Sequence, residues 1–164
     1  MMEGMSEMRR NSVLMSMLGI TVAGFGLAWA WPWLAAQMAS GEAPAETIAL
    51  GKTLYGKYCA ACHGANLEGQ PDWKSPLPSG RMPAPPHDAS GHTWHHPDGV
   101  LFRITKDGPA AVVGGGYRSD MPGFGSVMSD DEIRAVLAFI KSVWPEQERQ
   151  YQAEMSRREQ KAAQ

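Results

Sequence analysis

The sequence predicts an all-α domain preceded by an apolar helix directed to a membrane. Three observations lead there. An unbroken apolar run lies near the amino end, and the rest of the chain carries, at its two ends, segments whose apolar residues recur with a helical period of roughly 3.6 residues. A shorter helical candidate sits between them. The 164 residues leave room for one domain plus extras. A net charge of −2 with mixed signs along the chain excludes the basic stripe of a nucleic-acid binder. Two cysteines exclude a disulfide framework.

After Arg9 and Arg10 no charge appears until Glu42, and Val13 to Leu34 is almost wholly apolar. That is roughly the twenty residues needed to cross a bilayer core. Positive residues on its amino side predict that residues 1–12 stay cytoplasmic and that everything after the run is exported. Ala28-Trp29-Ala30 offers the small residues that a signal peptidase reads, so removal is one outcome. Retention as an anchor is favoured, because the run continues past that site and Trp29, Trp31 and Trp33 crowd its far end, where tryptophan prefers the membrane interface. Residues 35–45 read as a tether, with Pro44 just before the first globular helix.

From Ile48 the apolar or small residues Gly51, Tyr55, Tyr58, Cys59 and Cys62 fall on one side of a helix. Its end carries Cys59-Ala60-Ala61-Cys62-His63, the pattern of covalent haem attachment. Residues three apart on a helical turn share a face, so two sulfurs can meet the two vinyl groups of one porphyrin. The adjacent imidazole is then placed to become the proximal iron ligand. A thioredoxin-like pair would need strands around it, and none is visible. A zinc site from Cys59, Cys62, His92 and His95 would have too long a spacing and would leave His63 unexplained. A disulfide across two residues would be strained and close almost no loop.

Next comes a proline-rich run, Pro78 to Pro86, expected to lie extended. His87, His92, His95 and His96 then crowd a segment with Trp94. Such a cluster raises the idea of a second metal site, or of a replacement sixth ligand. The favoured reading is hydrogen bonding to haem propionates or nearby backbone. Asp98 begins the middle helical candidate, Gly99 to Asp107, with Val100, Leu101 and Ile104 as its apolar face and Gly108 as its cap.

Three methionines fall in the part of the chain expected to fold as the domain. Ser129 opens a Ser-x-x-Glu capping box closing at Glu132, with Met128 and Ile133 as its hydrophobic staple, so Met128 is assigned to packing. Met82, among prolines, is assigned to the surface or the haem edge. Met121 sits between Gly114-Gly115-Gly116-Tyr117-Arg118 and Pro122-Gly123-Phe124-Gly125, an irregular stretch able to wrap a flat cofactor. From Ser129, the residues Ile133, Val136, Leu137, Ile140, Val143 and Trp144 form an apolar stripe with Phe139 at its margin, ending at Pro145. Residues 146–164 are polar and read as a solvated helix or frayed end.

Over residues 46–145 the chain resembles the class I c-type cytochromes, through Gly51 and Tyr55 ahead of Cys59–His63, the later Met121-Pro122, and the amphipathic helix at the domain end. The resemblance implies a cytochrome c fold wrapped around one covalent haem c, with His63 and Met121 as axial ligands. It implies that the terminal helices cross closely at Gly51. It also implies that a proline carbonyl, from among Pro83, Pro85 and Pro86, accepts the other N–H of the proximal imidazole. Haem should then be the main constituent of the core, and the apoprotein should be largely unfolded.

The function expected is that of a single-electron carrier, not an enzyme, on the periplasmic side of a bacterial inner membrane or free in the periplasm if the leader is removed. Thioether ligation favours reduced iron, which suits redox partners such as a quinol-oxidising complex, a terminal oxidase or a dehydrogenase. Neither nucleic acid nor a small-molecule substrate is expected. The alternatives are a fixed subunit of an oxidase or dehydrogenase complex, and a haem sensor or peroxidase with an open iron position.

Overall fold

The computed structural model of this chain describes residues 43–164. The apolar run Val13–Leu34, the cleavage candidate at Ala28–Ala30 and most of the tether lie outside the described residues.

Helix α1 (Ala45–Tyr58) starts directly after Pro44, whose carbonyl accepts the Ile48 amide at 3.1 Å. Proline suits that position because the first amides of a helix have no internal partner to lose. Glu46 in the first turn and Lys57 in the last complement the helix dipole. Gly51 and Tyr55 are buried as the periodicity predicts, and Leu54 joins them. Cys62, expected on the same face, is exposed. It belongs to a separate turn, α2 (Ala60–His63), which ends at Gly64 with φ of 82°.

Residues 64–97 are irregular apart from a single 3-10 turn, Thr93–His95. Then follow α3 (Asp98–Asp107), α4 (Pro109–Val113), α5 (Asp130–Ser142) and α6 (Glu146–Ala162), and the described residues contain no strand. This is the all-α architecture that the sequence predicts. The middle helix begins one residue earlier than expected: Pro97 is its N-cap and supplies no side-chain bond. Asp98 is not the cap. Its carboxylate instead takes Lys141 Nζ and Gln152 Nε2, each at 2.8 Å.

Helices α1 and α5 make the central crossing. A Cβ on Gly51 would stand 1.9 Å from the Ala135 carbonyl oxygen, so the two backbones touch where only glycine fits. Around that contact Leu54, Tyr55, Ile133, Val136, Leu137, Phe139, Ile140 and Trp144 pack with Leu101, Leu67 and Met128. The α5 capping box forms as predicted: Ser129 Oγ accepts the Glu132 amide at 3.3 Å, and Glu132 Oε2 accepts the Ser129 amide at 2.8 Å. Met128 and Ile133 are both buried beside it.

Two residues of the predicted stripe are corrected. Phe139 is 8% exposed and lies inside the core, where its ring meets Tyr55 at 5.5 Å. Val143 is 45% exposed. It is the C-cap of α5, where the helical period no longer governs direction.

The polar segment after Pro145 is helical, yet it is neither frayed nor freely solvated. Gln152 is 1% exposed and Ser156 5%. Their burial rests on hydrogen bonds to residues 96–98 rather than on apolar area, which is why hydrophobic periodicity does not reveal it.

Candidate functional site

The chain from α1 into α2 is continuous in its hydrogen bonding: the Cys59 amide donates to Tyr55 O at 2.9 Å, and the His63 amide to Cys59 O at 2.9 Å. One turn therefore carries Cys59, Cys62 and His63. Cys59 is partly buried and Cys62 exposed, and no disulfide joins them. Burial, and then the neighbouring Cys62, push the Cys59 thiol up to about 11, so it is neutral near pH 7. Tyr55 donates its hydroxyl to Gly64 O at 2.9 Å and so ties the end of the turn back to α1. Burial raises the Tyr55 phenol well above its usual range, which keeps it a donor.

His63 is 6% exposed, and its Nδ1 stands 2.8 Å from the Pro85 carbonyl oxygen. A carbonyl only accepts, so Nδ1 carries the hydrogen and Nε2 keeps its lone pair. Burial lowers the His63 pKa, and the Pro85 bond partly opposes it, so the imidazole is neutral near pH 7, the form that binds a metal. Among the three prolines left open by the sequence, Pro85 is the one that makes this bond.

Glycines closely approach the peptides on both sides of Pro86. A Cβ on Gly69 would lie 2.4 Å from Pro86 N, and one on Gly91 would lie 2.0 Å from Pro86 O. Gly69 also donates to His63 O at 2.8 Å, and the His87 amide to Leu67 O at 2.8 Å.

The clustered histidines do separate jobs. The His87 ring stacks on His63 with centroids 4.0 Å apart, its Nδ1 lies 2.8 Å from Thr93 Oγ1, and its carbonyl accepts Trp144 Nε1 at 2.7 Å. Burial, then the charges of His63 and His92, hold its pKa well below the ordinary value. His92 stacks on Trp73 at 5.3 Å and meets His96 edge-on at 5.4 Å. His95 packs on Trp94, which donates Nε1 to Ala89 O at 3.3 Å. Hydrogen bonding to nearby backbone, one of the roles expected here, is thus present for Trp94. Among the described residues no group of three or more His, Cys, Asp or Glu is arranged to hold a metal ion.

Met121 comes from a different segment. Gly114, Gly115 and Gly116 all have positive φ (67°, 58° and 81°), and they turn the chain toward it. Arg118 donates to Ser79 O at 2.7 Å, Arg81 pairs with Asp120, and the Met121 amide donates to Ser119 Oγ at 3.1 Å. Beyond Met121, the amides of Phe124 and Gly125 donate to Thr105 O and Lys106 O, each at 2.9 Å. The Phe124 ring meets Tyr58, the residue before Cys59, at 6.1 Å. That contact connects the methionine loop to the cysteine turn. Met121 is partly buried, Met82 is exposed, and Met128 is committed to the core.

Two thiols on one turn suit the two thioether links of a covalently attached haem, and an imidazole anchored at Nδ1 with Nε2 free suits its iron; a methionine thioether lies in a separate glycine-rich loop. Sequence reasoning missed the contact of His87 with His63 and the support from Thr93 and Trp144: the apolar period marks Trp144 for burial and clustering marks His87, but neither signal pairs them with His63, and nothing marks Thr93. A family model described as Cytochrome c matches residues 48–144. None of the curated proteins or solved structures compared with the chain matches it.

Proposed function

The chain belongs to the cytochrome c family, whose members carry covalent haem c and transfer electrons, and from that premise we propose that Cys59 and Cys62 hold the porphyrin while His63 and Met121 hold its iron. The observation that carries this reading is the 2.8 Å contact of His63 Nδ1 with Pro85 O beside the two cysteines. It fixes the tautomer and orients Nε2 for ligation. When bound, the haem supplies a one-electron iron couple. The chain's own part is to keep that iron six-coordinate and closed to small molecules. Met121 is favoured as the second ligand because Met128 is packed in the core and Met82 is exposed.

The carrier exchanges electrons with redox proteins, for which a quinol-oxidising complex, a terminal oxidase or a dehydrogenase fits a thioether-ligated haem. Its place is the outer face of a bacterial cytoplasmic membrane. Arg9 and Arg10 ahead of the apolar run Val13–Leu34 support that placement.

Purified protein tests the site. After denaturation and acid extraction the polypeptide should keep its colour, carry the added mass of one haem, and give the pyridine haemochrome of a doubly thioether-linked porphyrin. Native reduced protein should bind carbon monoxide slowly, and Met121→Ala should bind it quickly. A colourless extracted chain with free thiols overturns the haem assignment. Rapid carbon monoxide binding by the unaltered protein overturns ligation by Met121.

A further inference from the structure

The family match ends at residue 144, while α6 runs from Glu146 to Ala162 and sends Gln152, Ser156 and Glu159 to one place, the segment entering α3. Pro97 leaves the first amides of α3 without a cap of their own. Two of them are satisfied from α6: the Asp98 amide donates to Ser156 Oγ at 3.0 Å, and the Gly99 amide to Glu159 Oε2 at 2.9 Å. The Gln152 side-chain nitrogen lies 3.3 Å from His96 O and 2.8 Å from Asp98 Oδ1. Tyr151 sets its ring edge-on to Trp94 at 5.4 Å.

The same segment reaches the imidazole through a short series of contacts. Thr93, in the 3-10 turn ahead of His96, stands 2.8 Å from His87 Nδ1 and donates to Pro86 O at 3.5 Å. Gly91 lies directly against that Pro86 carbonyl. Pro85 and Pro86 have no N–H, so neither residue can be held through an amide of its own. The position of the Pro85 carbonyl therefore depends on what packs and bonds around it.

We propose that α6 is a positioning element for the proximal side of the haem site: Gln152 and Ser156 clamp residues 96–98, and through Thr93 and Gly91 they hold the Pro85 carbonyl against His63 Nδ1. The inference rests on the reading of His63 as the proximal ligand. Its electronic consequence has a definite sign. The bond from Nδ1–H to Pro85 O makes the imidazole a stronger donor, which favours ferric iron. Loosening that bond shifts the reduction potential upward. Opening the haem to water, or losing the methionine, would shift it downward.

The test uses the full-length holoprotein carrying Gln152→Met, which keeps the volume, together with Ser156→Ala. The comparison is Glu154→Ala with Arg158→Ala, which breaks an exposed ion pair of the same helix. The clamp variant should show an upward shift in potential and a several-fold faster solvent exchange of the His63 ring N–H, followed by NMR of the reduced protein. The comparison variant should match the parent in both. If the double variant does not accumulate, Ser156→Ala alone should still speed the exchange, and parent-like exchange there overturns the proposal. An unchanged or lowered potential with a fallen thermal midpoint also overturns it, leaving α6 as a strut only. A parent chain without covalent haem would instead overturn the site assignment, and this inference along with it.

Discussion

The surroundings of His63 and of Met121 are held by opposite means. His63 is buried; its Nδ1 donates to Pro85 O and its carbonyl accepts from the Gly69 amide, on a scaffold fixed by Thr93 and Trp144. Met121 is carried by a loop whose charged tie, Arg81 to Asp120, has side chains 40% and 59% exposed. Bonds shielded from water keep their strength, whereas an exposed ion pair contributes about 0–1 kcal/mol. The difference teaches that the two proposed ligands should fail separately. The methionine side should be the one that opens, and the imidazole side should hold until the fold itself gives way.

The largest effect should come from removing what both sides share. Cys59→Ser with Cys62→Ser leaves no thiol for attachment, so the extracted chain should be colourless and its far-ultraviolet circular dichroism that of a largely unfolded polypeptide. A folded, helical double variant would break the comparison, because the core would then stand without haem.

Next is the loss of the weaker side alone. Met121→Ala should keep the covalent haem and its pyridine haemochrome, gain rapid carbon monoxide binding in the reduced state, and lower the reduction potential. Potentiometry and stopped-flow mixing measure both changes.

Gly51→Ala acts on neither ligand but on the helix crossing that supports the proximal side. The new Cβ would meet the Ala135 carbonyl at 1.9 Å, so α1 and α5 must move apart. Overpacking of this kind costs about 1–3 kcal/mol, and the better helix propensity of alanine returns only about 1 kcal/mol. Denaturant unfolding of the holoprotein should show a net loss, while its carbon monoxide behaviour stays that of the parent.

A smaller effect is set by pH. Burial first, then neighbouring histidines, lower His92 and His96 from their ordinary value of 6.5. As pH falls below that value, the unfolded chain takes up protons that the folded histidines refuse, so stability falls. Above it these two groups contribute no slope. Thermal midpoints measured downward from pH 7 should therefore decline, and His92→Gln with His96→Gln should flatten the decline.

The smallest effect sharpens the comparison from the methionine side. Asp120→Ala removes an exposed pair, so global stability should change by no more than about 1 kcal/mol. Carbon monoxide should nevertheless enter faster than in the parent, and high salt should reproduce part of that gain by screening the pair.

Much of this was legible in the chain because it is local. Cys59, Cys62 and His63 are neighbours on one turn whatever the rest of the fold does. Ser129, Glu132, Met128 and Ile133 announce the start of α5 because capping is settled within about six residues. The apolar period placed Ile133, Val136, Leu137 and Ile140 inside, and it lost its hold on Val143 only where the helix ends. Gly51, pointed out through the family resemblance, proved to be the place where two backbones touch.

Tertiary structure alone decided which proline carbonyl meets His63, because Pro83, Pro85 and Pro86 are alike in sequence and differ only in where Gly69 and Gly91 let the chain approach. It alone turned a polar tail into a docked helix. Hydrophobic burial repeats along a helix and so leaves a periodic trace, but a hydrogen bond between Gln152 and residues 96–98 joins single groups more than fifty positions apart. Such a pairing has no period, and it exists only once the backbone has brought its two ends together.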